Sequence, residues 1–125
     1  MPILKKIEVD GREVPFKASA ALARIYRARY GRDILKDFNE IMGEMEGENP
    51  DLSNLSVQAL ERFEDIAYTM AKYADPAIED TVEAWLERFN VFSIYEILPQ
   101  LVELWGLNIR TEAEAKKNLR RAADR

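Results

Sequence analysis

Apolar side chains recur at intervals of three and four residues through most of this chain, a spacing that places them on one face of an α-helix. Gly31 and Gly106 follow two of these segments, and Asp75-Pro76 follows another, as expected of residues that end helices. The chain is therefore expected to be mostly α-helical. The predicted helices span residues 20–30, 33–45, 57–74, 77–89 and 94–105, and a further charged helix begins near residue 111.

Three serines stand where predicted helices begin. Ser19, Ser56 and Ser93 are expected to be N-caps, because a serine hydroxyl can accept a hydrogen bond from a backbone N–H of the first turn. Pro99 lies inside the fifth segment, so it should kink that helix or move its start close to Leu98.

The helical pattern also assigns inner and outer faces. On the second helix, the side chains expected to face water are Arg32, Lys36, Asp37 and Glu40. The third helix is predicted to bury Val57, Leu60, Phe63, Ala67, Met70 and Ala71, with Ile66 and Tyr73 at the margin. The fourth is predicted to bury Ile78, Val82, Trp85, Leu86 and Phe89, with Glu79, Asp80, Glu83 and Glu87 outside.

Residues 3–17 depart from the helical pattern and read as a β-hairpin. Asp10-Gly11 separates two alternating runs, and both residues tolerate the positive φ of a tight turn. Pro15 cannot donate to a strand ladder, so the returning strand should lie at an edge. An isolated hairpin is marginally stable in water, so it should pack on the helices or pair with another chain.

The expected fold class is mostly α, of the α+β type: an N-terminal hairpin followed by a compact bundle of about five to six helices. The length of 125 residues fits one domain, residues 1–125. After the hairpin, the predicted parts are two helices over 18–45, a linker over 46–55, a helical core over 56–110 and a charged helix or tail over 111–125. Gly47 and Pro50 break both periodicities in the linker.

The residue types available restrict the chemistry. The chain has no cysteine and no histidine, so thiolate nucleophiles, imidazole bases and the commonest metal ligand are all missing. Glu79, Glu83 and Glu87 follow one helical face, but a di-iron site also needs histidine. The acidic stretch from Glu44 lacks the glycine spacing of a calcium loop, and no phosphate-binding loop occurs. The chain is expected not to be an enzyme and to bind no metal or cofactor.

Charge gives a weaker constraint on partners. The formal net charge is −5, which disfavours nucleic acid unless one face is basic. Two basic clusters could contact phosphates or pair with the chain's own carboxylates: Arg24, Arg27, Arg29 and Arg32, and Lys116, Lys117, Arg120 and Arg121. The start lacks the apolar stretch of a secretory signal, and no apolar run approaches the roughly 20 residues that span a bilayer. A cytoplasmic protein is expected.

An excess of apolar side chains marks the fifth predicted helix. Residues 94–105, with Leu107 and Ile109, carry more large side chains than one buried stripe needs, and Tyr95 and Trp105 add rings with polar tips. Two interpretations stay open. The helix is central in the core, or part of it meets a partner, and the two can hold together.

Two stretches resemble a known family. They are Ile25-Tyr26-Arg27-Ala28-Arg29-Tyr30-Gly31-Arg32-Asp33-Ile34-Leu35-Lys36-Asp37 and Phe92-Ser93-Ile94-Tyr95-Glu96-Ile97-Leu98-Pro99-Gln100-Leu101-Val102-Glu103-Leu104-Trp105-Gly106-Leu107. Both are similar to tail assembly chaperones of long-tailed bacteriophages and of prophages in low-GC Gram-positive bacteria. The resemblance covers most of the chain, including the hairpin and the Thr-Glu-Ala-Glu-Ala-Lys-Lys sequence near the end.

The resemblance implies a role in tail assembly. Such chaperones bind the tape measure protein, keep its apolar helices soluble and help tail tube subunits polymerise around it, but they are absent from the mature virion. Many are also made in a longer, frameshifted form, and Ala115-Lys116-Lys117-Asn118 could be encoded by a slippery run. The tail tube protein and this longer form are therefore further expected partners.

A chaperone for apolar helices needs an apolar groove, in which spaced aliphatic and aromatic anchors bind the guest. The predicted groove residues, with methionines as adaptable lining, are Ile94, Tyr95, Leu98, Leu101, Trp105, Met42 and Met45. The edge hairpin could also pair with a second copy to give a homo-oligomer. The alternatives are a generic helical adaptor or regulator that binds another protein and, less favoured, a nucleic-acid-associated protein.

Overall fold

The structure is a computed structural model that describes residues 3–45, 55–90, 93–101 and 103–104, without the side chain of Met45. The predicted linker, apart from Leu55, and the predicted charged helix over 111–125 lie outside the described residues. An N-terminal antiparallel hairpin is followed by helices, which confirms the mixed α+β class.

The hairpin consists of β1 (Ile3–Val9) and β2 (Arg12–Ala18). Asp10 and Gly11 have φ values of 54° and 75°, the left-handed conformation that a two-residue turn of this kind requires. The turn fixes a register in which Ile7 opposes Val14. One face of the pair is buried and rests on the helices, and it consists of Ile7, Val9, Val14, Phe16 and Ala18.

The first two helices are α1 (Ala21–Tyr30) and α2 (Ile34–Met45). Gly31 ends α1 at φ 68°, and its N–H donates to the Arg27 carbonyl at 2.7 Å, as the sequence predicts. Ala20 is the residue just before α1, one position later than predicted, but the predicted capping bond of Ser19 is present, because its hydroxyl accepts the Ala21 N–H at 3.3 Å. The same hydroxyl donates to the Tyr73 hydroxyl at 3.1 Å, which ties the entry of α1 to the third helix.

Helix α3 (Val57–Ala74) is the longest described element, and β2, α1 and α2 all pack on it. Ser56 caps it as predicted, accepting the Ala59 N–H at 3.1 Å. The predicted face is partly wrong: Val57 is 74% exposed, whereas Ile66 is 4% exposed. Val57 lies two residues from buried Ala59, which is more than half a turn away around the helix.

The predicted helix over 77–89 is wrong in extent. Only α4 (Val82–Leu86) is helical, capped by the Thr81 hydroxyl, and residues 75–81 form a turn. The reason is that side chains of α1 and α3 take the carbonyls a longer helix would use. The bonds run from Lys72 Nζ to Pro76 O (2.9 Å) and Ile78 O (2.8 Å), from Tyr68 OH to Glu79 O (2.5 Å) and from Arg29 Nη2 to Asp80 O (2.6 Å).

The last described segment holds α5 (Ser93–Glu96) and the helical residues 98–101 and 103–104. A turn at Ile97 separates the two parts just ahead of Pro99, so the predicted interruption is confirmed. The prediction of Ser93 as an N-cap is wrong, because Ser93 is itself the first residue of α5.

The core gathers around Trp85, which is fully buried. Its ring meets those of Phe16, Tyr68 and Phe89 edge-on, at centroid distances of 6.4, 5.7 and 5.1 Å. Hairpin, α3 and α4 therefore share one set of aromatic contacts. Within the described ranges, none of the helices combines the length and the apolarity that a membrane crossing demands.

Candidate functional site

Three of the predicted groove residues are buried in the core. Ile94, Leu98 and Leu101 are only 3%, 2% and 3% exposed, so the chain encloses them. A partner could reach Leu98 and Leu101 only if their segment left the core. Tyr95 and Met42 are half-buried at the margin of the core, and they keep some access to solvent. Trp105 and the side chain of Met45 lie outside the described residues.

The structure has a concave surface that coincides only in part with the predicted groove. This cleft, between α3, α4 and α5, has a volume of about 350 Å³. It includes Ile94 and Tyr95 from the predicted groove, but not Leu98, Leu101 or Met42. The lining residues are Glu64, Glu83, Leu86, Glu87, Phe89, Asn90, Ile94 and Tyr95.

The floor of the cleft is apolar and is supported by aromatic side chains of the core. Phe89 packs edge-on against Trp85, and the Tyr95 ring lies 6.2 Å from the Phe63 ring. Leu86 is half-buried beside them. A floor held in this way needs little further ordering when something binds to it, which favours affinity.

Within the part of the chain that the structure describes, the rim of the cleft carries three carboxylates and no cation. Glu83 and Glu87 are exposed, and neither forms an ion pair with any residue for which the structure gives a side chain. The neighbouring Arg88 is engaged elsewhere, since its guanidinium pairs with Glu79 at 2.7 Å. The rim therefore presents negative charge that the described chain leaves uncompensated.

The third rim carboxylate, Glu64, sits deeper than the other two. Burial raises its pKa, and the nearby charges of Asp65, Glu61 and Glu83 add to that effect. A hydrogen bond from the Tyr95 hydroxyl, at 2.5 Å, opposes the rise. Burial and Glu64 together raise the pKa of Tyr95 to about 12, so its hydroxyl stays a donor.

The hairpin turn fixes one end of the cleft. The Asp10 carboxylate accepts from the Asn90 backbone N–H at 2.8 Å, from the Asn90 amide at 3.2 Å and from the Ser93 hydroxyl. The bond from Ser93 and those from Asn90 lower the pKa of Asp10. Because Asn90 lines the cleft and Ser93 begins α5, this contact positions α5 against α4.

A polar network lies on the other side of α3. Asp37 is 4% exposed and accepts from Tyr26 OH at 2.5 Å and from Arg32 Nε at 2.9 Å. Arg32 also donates to Asp65 at 2.6 Å, and Arg62 Nε lies 3.2 Å from Asp37. The prediction that Asp37 faces water is wrong, because α1 and α3 surround it with donors.

Two arginines of the first basic cluster bond to groups within this chain. Arg32 is engaged by Asp37 and Asp65, and Arg29 donates to Tyr68 at 3.3 Å and to the Asp80 carbonyl. Arg24 and Arg27 remain exposed on α1. Two of the four arginines thus serve the chain's own groups, which weakens the case for a phosphate-binding face.

The predicted row of Glu79, Glu83 and Glu87 does not form. Glu79 precedes α4, and its carboxylate pairs with Arg88 instead of extending a helical face. Nowhere in residues 3–45, 55–90, 93–101 and 103–104 do three acidic side chains gather closely enough to hold a metal ion.

Sequence reasoning missed two features of the site. The Asp10 contact joins residues 80 and 83 positions apart, and no local pattern reports such a distance. The sequence places Glu83 and Glu87 on a solvated helix face, and both are exposed, but it does not show that α5 lies beside them and completes a cleft. No protein-family model, curated protein or solved structure matches this chain significantly.

Proposed function

We propose that this chain is a non-catalytic tail assembly chaperone of a long-tailed phage or prophage, which binds the tape measure protein and assists tail tube assembly. The observation that carries the proposal is the resemblance over residues 25–37 and 92–107. The proposed chaperone acts in the host cytoplasm and is absent from the mature virion. The tail tube protein, a frameshifted longer form and a second copy of the chain are further partners within this proposal.

The positions of the two resembling stretches support the proposal. Residues 25–37 supply Tyr26, Arg32 and Asp37, the polar contacts that join α1 and α2 to α3. Residues 92–107 supply Ile94 and Tyr95, which line the cleft. One stretch therefore holds the fold together, and the other contributes to a surface with room for a partner.

Co-expression with the tape measure protein of the same phage or prophage tests the proposal. We expect a tape measure protein that is insoluble alone to become soluble and to co-elute with this chain in size exclusion. A tape measure protein that stays insoluble beside abundant soluble chaperone, and that the longer form does not rescue, contradicts it. That result would favour a generic helical adaptor with a different protein partner.

The frameshifted form is tested from the gene. We expect a slippery heptamer at the codons for Ala115-Lys116-Lys117-Asn118 and a product longer than 125 residues in a blot against the N-terminus. A gene without such a heptamer removes the longer form from the proposal, while the co-expression test of the chaperone role still applies.

A further inference from the structure

The acid-rimmed cleft has a shape and a charge that specify one kind of occupant. Its floor offers Leu86, Phe89 and Tyr95 to apolar side chains, and its exposed rim offers Glu83 and Glu87 to cations. An amphipathic helix that binds in a groove places apolar anchors at intervals of three and four residues. The same helix can carry lysine or arginine beside those anchors.

The spacing of the rim carboxylates matches such a helix. Glu83 lies in α4 and Glu87 follows its last residue with helical backbone angles, φ −61° and ψ −17°. Residues four apart on a helix lie about 5–6 Å apart between Cβ atoms. Two basic residues four apart on a partner helix have the same spacing, so both can face the rim together.

The charge of the rim is available for a partner. Arg88, the nearest cation along the chain, is paired with Glu79, and among the described residues no cationic side chain lines the cleft. Glu64 adds a third carboxylate whose pKa is raised by burial and by the charges around it. A cation on a partner would reduce the repulsion among the three rim carboxylates. An acidic or neutral helix could not stabilise the complex in this way.

We propose that this cleft is the docking site for a basic amphipathic helix of a partner polypeptide, with apolar anchors on Leu86, Phe89 and Tyr95 and basic side chains on Glu83 and Glu87. Naming the tape measure protein as the source of that helix rests on the proposed function. The preference for a basic helix rests on the cleft alone.

A labelled synthetic helix tests the proposal on the full chain. The probe carries leucine at helical spacing with flanking lysines, and its matched control carries glutamates in place of the lysines. Fluorescence anisotropy should detect saturable binding of the lysine probe, weakening with salt, and none of the glutamate probe. The double variant Glu83→Lys with Glu87→Lys should weaken binding about tenfold or more.

A matched variant controls for net charge. Glu8 and Glu13 are exposed and oppose each other across the hairpin, so Glu8→Lys with Glu13→Lys changes the charge equally, away from the cleft. We expect this variant to bind the lysine probe within about threefold of the wild type. Circular dichroism checks that each variant is folded, and Glu83→Gln with Glu87→Gln provides a milder change with the same expected direction.

Three results overturn the proposal. Equal weakening by the cleft and hairpin variants means that the probe responds only to net charge. No binding of the lysine probe removes the site. Binding that appears only after Lys116, Lys117, Arg120 and Arg121 are changed to glutamine assigns the cleft to the chain's own basic terminus.

Failure of the docking site and failure of the proposed function give different results. If the tape measure protein co-elutes equally with the wild type and with Glu83→Lys/Glu87→Lys, the chaperone role holds and the cleft is not its site. If the tape measure protein never co-elutes but the lysine probe binds the cleft, the docking site stands with a different partner.

Discussion

Asp37 shows how one buried carboxylate organises three helices. It lies on α2 and receives hydrogen bonds from Tyr26 and Arg32, with Arg62 of α3 close by. Burying a charge is costly unless partners compensate it, and here both oxygens have a donor group nearby. Burial, followed by the hydrogen bond to Asp37 and its charge, raises the pKa of Tyr26, so the tyrosine hydroxyl stays protonated and donates to Asp37.

Removing the Asp37 charge should therefore destabilise the fold strongly. We expect Asp37→Asn to lower the free energy of unfolding by about 3 kcal/mol, because it leaves cationic neighbours without their buried partner. Glu40→Gln is the matched control on the same helix, where an exposed carboxylate should cost less than about 1 kcal/mol. Urea unfolding followed by circular dichroism measures both, and equal effects would contradict the assigned role of Asp37.

At the scale of elements, side-chain bonds to the backbone decide where helices end. Residues 77–89 have a helical spacing of apolar side chains, and Ile78 and Trp85 are indeed buried. The backbone is nevertheless a turn up to Thr81, because Lys72, Tyr68 and Arg29 hold its carbonyls. Periodicity thus predicted the two buried residues, while Val82, Leu86 and Phe89 are half-buried, but it could not show that side chains of α1 and α3 would donate to these carbonyls.

The fifth predicted helix was open to two interpretations, a helix of the core or a surface that meets a partner. They differ most at the helical residues 98–101. Their burial indicates that Leu98→Ala should lower the free energy of unfolding by about 2–5 kcal/mol, by leaving a cavity in the core. Met42→Ala, at a half-buried position, should cost clearly less. Thermal and urea unfolding measure the difference. A Leu98→Ala protein of unchanged stability that no longer binds its partner would instead make Leu98 a groove residue.

At the scale of the whole molecule, the hairpin is a structural part of the helical unit. Its buried face meets the helices through Phe16 and its neighbours, and its turn holds the α4–α5 connection through Asp10. A two-stranded hairpin gains its stability from such packing. The same contact sets the position of Ser93, and hence of the cleft wall that Ile94 and Tyr95 form.

The Asp10 contact should give the molecule a defined acid dependence. Because hydrogen bonds hold the folded pKa of Asp10 below its ordinary 3.8, its stabilising effect is present above that pH and is lost as pH falls through the lowered pKa. Asp10→Asn keeps a residue that tolerates positive φ. Wild type should be more stable than the variant at neutral pH, and the gap should close well below 3.8; parallel stability profiles would contradict this.

The sequence predicted the coarse fold well, for local reasons. The Asp10-Gly11 turn, the Gly31 stop, the Ser56 cap and the interruption before Pro99 are set by neighbouring residues, and the structure has all four. The hydroxyls of Ser19 and Ser93 also bond to Tyr73 and Asp10, and for Ser93 this bond stands in place of the predicted cap. Those partners are distant in sequence, so a local reading could not foresee them.

The candidate site was predicted less well, because its parts come together only in three dimensions. Apolar excess pointed to the segment that contains Ile94 and Tyr95, and both line the cleft. The same excess included Leu98 and Leu101, which the core encloses. Spacing along one helix cannot tell which side of an apolar segment faces the core and which faces a cleft.

Hydrogen exchange of this chain, with and without its bound tape measure protein, tests whether the cleft or the buried segment meets the partner. If a basic helix docks in the cleft of the folded molecule, protection should increase at residues 82–90 and 93–96, while residues 98–101 exchange as slowly as in the free chain. Faster exchange at residues 98–101 on binding would contradict this account, because the buried stripe of Leu98 and Leu101 would then have left the core to meet the partner.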